Sequence, residues 1–162
     1  MAVNRLIVGA VLATASAIAT GMAGPAGADA STAPAPPMGA ANVVDRGAQA
    51  LDWARDQMAS NPDNPVQCET FVEQAYNHSF RYGSAIEAFN DLNAKGKIFT
   101  DTNGIPTGAL VFTSDPRFDA GYGHVMLSQG DGTYLTANYV VAPKIRVVRL
   151  GQNRFLGWAY AP

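Results

Sequence analysis

The sequence predicts an α+β domain in which helices come first and an antiparallel sheet comes second. Two observations carry this. Between Asn42 and Leu92 apolar residues recur three or four positions apart. From Ala109 onward, short runs rich in β-branched and aromatic residues are separated by turn formers. A third observation sets the scale: the chain has 162 residues, and the portion behind an N-terminal export segment has room for one core.

The export segment is read from residues 1–30. They hold no Lys, and Leu6 to Ala23 carry no charge. Arg5, the apolar run and the closure Gly24-Pro25-Ala26-Gly27-Ala28-Asp29-Ala30 predict a secretory signal peptide cut after Ala30. The small residues of the run and the helix breakers behind it favour cleavage over a retained membrane helix. Residues 31–41 are Pro- and Ala-rich and predict a linker, leaving 42–162 as the domain. A formal net charge of −2 excludes a strongly basic nucleic-acid binder or a polybasic membrane-surface protein. No second apolar run approaches a membrane span. The mature chain is therefore expected outside the cell or in the cell wall, with no stable membrane span and as a monomer.

Val44, Ala48, Leu51, Ala54 and Met58 predict a first amphipathic helix over 42–60, stopped by Asn61-Pro62-Asp63-Asn64. A second helix is expected with Asn64 as cap, Pro65 at its first position and Gln67 three after the cap. That puts Cys68 in the first turn, on the edge shared with Phe71, Val72 and Ala75. Ser84-Ala85-Ile86-Glu87 is a capping box for a third helix, with Gly96 as its stop. Strands are expected at 109–112, 125–127, 133–140, 145–150 and 155–160, with the helices packed on one face of their sheet.

Cys68 is the single cysteine, so an exported chain has no internal disulfide and its lone thiol needs a reason. A buried structural cysteine is the commoner fate of such a residue. A helix start, however, stabilises a thiolate and offers backbone N–H groups to an oxyanion. His124 opens a strand after the loop Gly121-Tyr122-Gly123, and an imidazole there can take the thiol proton. The three-residue loop Gly130-Asp131-Gly132 sets a hairpin register that puts Asn138 opposite His124, with Thr136 as the diagonal neighbour. Asn138 is therefore expected to orient the ring. The loop 114–123 is expected to border a cleft, with Tyr122 on substrate. His78, about 15 Å along the helix from Cys68, is expected at its C-terminal end. One Cys and two scattered His make no zinc site, Asp131 lacks the rest of an EF-hand loop, and Gly121 to Gly123 lack the Lys of a phosphate loop. No metal or cofactor is expected.

The order of cysteine at a helix start, Gly-His opening a strand and a polar residue on the next strand resembles the papain-like peptidoglycan hydrolases of the NlpC/P60 and CHAP superfamily. Gln67-Cys68 followed by Phe71-Val72 resembles the CHAP cysteine motif, and Gly83-Ser84-Ala85 the segment that often succeeds it. Pro106-Thr107-Gly108-Ala109-Leu110-Val111-Phe112 resembles the strand before the histidine. Gly123-His124-Val125 with Gly130-Asp131-Gly132 resembles the histidine hairpin, and Phe155-Leu156-Gly157-Trp158 the closing strand. The resemblance implies a papain-like fold and a secreted cysteine amidase or endopeptidase acting on peptidoglycan stem peptides. Its catalytic residues would be Cys68, His124 and Asn138, with Gln67 and Tyr122 binding substrate. A non-catalytic member of the same fold, a wall-binding module or secreted effector, is the alternative. The departures are plain. Gln67-Cys68-Glu69-Thr70 stands where NlpC/P60 proteins carry Asp-Cys-Ser-Gly. Thr136 stands where their third residue is His. Ala109 stands where Asp is common.

Overall fold

The structure, a computed structural model, describes residues 40–138, 141–151 and 154–162. The expected signal peptide and most of the expected linker lie outside the described residues. Three helices come first: α1 (Ala40–Ser60), α2 (Cys68–Ala75) and α3 (Ala85–Ala94). The strands come next: β1 (Leu110–Thr113), β2 (His124–Ser128), β3 (Thr133–Thr136), β4 (Arg146–Arg149) and β5 (Phe155–Ala159), with a single-turn helix α4 (Pro116–Asp119) between β1 and β2. The sheet runs β4-β3-β2-β1-β5, antiparallel at every pairing. This is the α+β order expected from the sequence.

Helix α1 starts two residues before the expected domain boundary and turns a slightly different face inward. It buries Gly47, Ala50, Leu51 and Ala54, while Val44 is 51% exposed. Trp53 leans on Phe71 of α2, with ring centroids 5.4 Å apart. The helices cover one face of the sheet, where Phe71, Val72, Ala88 and Leu92 meet Leu110, Phe112, Val125, Leu127 and Leu135. The other face is not bare. Val111, Met126, Tyr134 and Trp158 pack there with Ile105, and Phe99 stacks on Trp158 at 4.5 Å. Alternation along β1 and β2 divides Leu110, Phe112, Val125 and Leu127 from Val111 and Met126.

Helix α2 begins later than capping chemistry suggests. Asn64 N–H turns back to Asn61 O, and the Pro62 carbonyl is taken by Ile145 N–H at 2.8 Å. These ties hold the segment out of the helix, so Gln67 becomes the N-cap in an extended conformation, without a side-chain cap bond. The helix also ends early, and Asn77 and His78 adopt φ values of 52° and 55° beyond it. His78 is thus exposed outside the helix rather than in its last turn. Helix α3 starts at the expected cap, where Ser84 Oγ accepts from Glu87 N–H, but the Glu87 carboxylate reaches one residue further back than a capping box requires and accepts from Gly83 N–H at 2.9 Å.

Two glycines let α1 lie against the turn that leads into β1. Gly108 has φ +77°, and a Cβ there would fall on the backbone of Gly47. Tyr76 Oη, buried, donates to the Gly108 carbonyl at 2.5 Å. Gly108→Ala is expected to cost about 3 kcal/mol or more, because strain and a backbone clash add. Gly96→Ala has a similar φ of +64° but open space around it, and should cost about 1 kcal/mol. Urea denaturation of the two variants separates the clash from the strain.

Candidate active site

Cys68 is the first residue of α2 and only 8% exposed. The helix ladder starts beneath it with Phe71 N–H bonding Gln67 O at 2.9 Å. The backbone groups of Val125, across on β2, and of Glu69 and Cys68 favour negative charge on the sulfur, and Cys68 and Val125 lie in one buried cluster. The Val125 contact is a consequence of strand alternation. Gln129 N–H bonds Thr133 O, so alternate donors of β2 point toward β3. The β2–β3 ladder covers Leu127 and Ser128, short of Val125. These backbone groups favour the thiolate, but burial outweighs them and holds the thiol above its usual 9.0. The Glu69 charge adds to that rise.

His124, the residue before Val125, opens β2 opposite Thr113. Its approach is fixed by the start of α3: Ile86 N–H bonds Tyr122 O at 2.9 Å, and a Cβ on Gly123 would meet Ile86 N at 3.1 Å. The His124 ring Nε2 lies 2.6 Å from Thr136 Oγ1. The direction of that bond follows the imidazole tautomer. In the tautomer with Nε2–H, Thr136 Oγ1 accepts from the ring and donates to the Ala137 carbonyl at 3.3 Å, and Nδ1 is the basic nitrogen. Burial pulls the imidazole below its usual 6.5, opposed by the Asp119 carboxylate.

The expected hairpin register is the observed one, with Leu127 opposite Leu135 and Ser128 opposite Tyr134. Thr136 is buried on that register and meets His124 on the diagonal. Asn138 does not hold the ring. The strand ends at Thr136, Asn138 turns to φ +59°, and residues 139–140 of the expected strand lie outside the described residues. Asn tolerates that left-handed conformation, and once the chain leaves the ladder its parity no longer applies. The exposed Asn138 donates instead to Gln67 Oε1 at 2.8 Å, tying the end of β3 to the start of α2. Tyr122 is 68% exposed and Phe118 is 76% exposed, both on the 114–123 loop. That loop is braced where Asp115 caps α4 and pairs with Arg117 at 2.7 Å, and where Ser114 N–H bonds Arg154 O.

Scanned against protein-family models and curated proteins, the sequence matches none. Among solved structures it is similar to the P60 domain of an antigen from Mycobacterium avium subspecies paratuberculosis, at 16% identity and a TM-score of 0.48. The likeness covers 70% of this chain and 95% of that one.

Sequence reasoning leaves out one member of this region. Glu69 is 5% exposed, and neither carboxylate oxygen has a hydrogen-bond partner among the described residues. Burial, with the like charges of Glu73 and Glu87 behind it, pushes the carboxyl up to about 7. No local signal marks it, because a glutamate in a first helical turn reads as a surface charge beside the helix dipole. Among the described residues no group of three or more His, Cys, Asp or Glu is placed to hold a metal ion, and no helix is long and apolar enough to cross a membrane.

Proposed function

We propose that this chain is an exported cysteine amidase or endopeptidase that cleaves amide bonds in peptidoglycan stem peptides. One observation carries the reading. The single thiol sits at the start of α2, which packs on β2, the strand that His124 opens, and the His124 ring is held at Nε2 by Thr136, leaving Nδ1 for the thiol. The resemblance of the Cys68 and His124 motifs to those of the NlpC/P60 and CHAP superfamily supplies the substrate class. Cys68 Sγ attacks the amide carbonyl while His124 Nδ1 takes the thiol proton. Nδ1 then gives that proton to the departing amine, leaving a Cys68 thioester. Water, with its proton taken by His124, hydrolyses the thioester to a carboxylic acid and restores the thiol. Backbone N–H groups at the start of α2 stabilise the oxyanion. Thr136 orients His124, and the Gln67–Asn138 pair and Tyr122 meet the peptide at the rim.

A second reading, a wall-binding member of the same fold, is favoured by the low exposure of Cys68 and by the environment that holds its thiol protonated. Incubating purified peptidoglycan with residues 31–162 and with Cys68→Ala, then analysing released peptides by mass spectrometry, decides between them. New peptide termini with the native protein alone support hydrolysis. Equal binding of both proteins without cleavage overturns it. Recovery of the chain beginning at Ser31 from the culture medium tests export and the cut after Ala30.

A further inference from the structure

A carboxylic acid buried without a hydrogen bond costs free energy, so one placed beside a thiol invites a role. Glu69 comes directly after Cys68 in the first turn of α2. It is faced by Glu73 from its own helix, by Glu87 from α3 and by the phenol of Tyr82 from the segment between those helices. Glu73 and Glu87 are themselves satisfied, the first by Tyr82 N–H at 2.7 Å and the second by Gly83 N–H at 2.9 Å. Tyr82 Oη is committed to Asp91 at 2.6 Å. Among the described residues, Glu69 alone of the three carboxylates has no hydrogen-bond partner. The backbone groups of Val125, Glu69 and Cys68 favour a negative charge on the neighbouring sulfur, and the Glu69 charge opposes it. Cys68 and Glu69 are both buried in the same helical turn, so a second negative charge would form beside the first in a weakly screened interior.

We propose that Glu69 is a positioning residue for the nucleophile: Cys68 and Glu69 share one negative charge, so the thiolate forms while Glu69 keeps its proton and is suppressed once Glu69 ionises. This rests on the reading of Cys68 as the nucleophile, and it adds an alkaline limit to that site's working range. Around neutral pH the buried carboxyl is near its midpoint, so modest alkalinity converts Glu69 into a local anion before the thiol has titrated. The pair then titrates as a unit rather than as two independent groups.

The test is the rate of Cys68 reaction with dithiodipyridine, measured by thiopyridone release, from about pH 5.5 to about pH 8.5. Native protein is compared with Glu69→Gln, which fixes the protonated shape, and with Glu69→Met as a second variant free of a buried amide. At about pH 5.5 both variants should match the native rate. At about pH 8.5 they should react about threefold to tenfold faster, because the opposing charge is gone. Equal rates at every pH overturn the proposal. So does a uniform acceleration at every pH, which would mean that the substitutions merely loosen the helix start and expose the sulfur. The result is independent of the hydrolytic reading. A pH-dependent acceleration in a protein that cleaves no peptidoglycan keeps the charge-sharing and rejects the substrate, and cleavage without the acceleration does the reverse.

Discussion

Replacing His124 with alanine is expected to lower peptidoglycan cleavage by about 10²–10⁴-fold, with the fold retained. The reason lies in the resting charges. Burial holds the Cys68 thiol above 9.0 and the His124 imidazole below 6.5, so the pair rests as neutral thiol and neutral imidazole. A thiolate already formed at rest would survive loss of the base with its nucleophilicity intact. Here the base must remove the proton as sulfur attacks, and its loss removes both that transfer and the proton returned to the leaving amine. Thr136→Val keeps the side-chain volume and deletes the hydroxyl that holds Nε2. It should cost about tenfold, less than His124→Ala, because the imidazole survives but samples other ring orientations and the second tautomer. Asn138→Ala should leave that orientation untouched, since its amide bonds Gln67. Steady-state cleavage of a defined stem-peptide substrate by the three variants gives this order. Parity of Thr136→Val with the native enzyme would refute Thr136 as the orienting residue. The pH profile carries the same logic. Cleavage should rise as His124 loses its proton, below the usual imidazole value, and fall as Glu69 ionises near 7, so the optimum lies on the acid side of neutrality.

The parts of the site that obey local rules are legible in the sequence. Gly130-Asp131-Gly132 dictates a three-residue hairpin, and the turn alone fixes which residues of β2 and β3 share a face. The same register makes Thr136 the diagonal neighbour of His124. Asn138 is the better partner only if the strand continues, and nothing local says that the ladder stops at Thr136. The helix start fails in the same way. Asn64 and Pro65 satisfy every capping preference, yet the bond from Ile145 N–H to the Pro62 carbonyl, 83 residues apart in sequence, draws the segment away. Glu69 is the hardest case. A glutamate in a first helical turn reads as a favourable surface charge near the helix dipole. Its burial depends on α2 being short and packed against α1 and β2, which is tertiary information.

Glu69 also gives the fold a pH dependence of its own. Its carboxyl is raised in the folded chain to about 7 from an ordinary 4.5. The folded state therefore holds this proton more tightly than the unfolded state does. Stability from that difference is fully present below about pH 4.5 and is lost as pH rises through about 7. The span of the two values corresponds to about 3 kcal/mol. A direct melt of the native protein mixes this with His124, whose lowered value acts the opposite way by withdrawing stability as pH falls. The comparison that isolates Glu69 is the difference in unfolding free energy between Glu69→Met and native protein, measured by urea at about pH 4.5 and about pH 8. Packing changes and every shared titration cancel between the two pH values. The difference should move by about 3 kcal/mol in favour of the variant on going to the higher pH. No movement would mean that Glu69 finds a charge partner or solvent when ionised, and the thiol would then lose its proposed electrostatic brake as well.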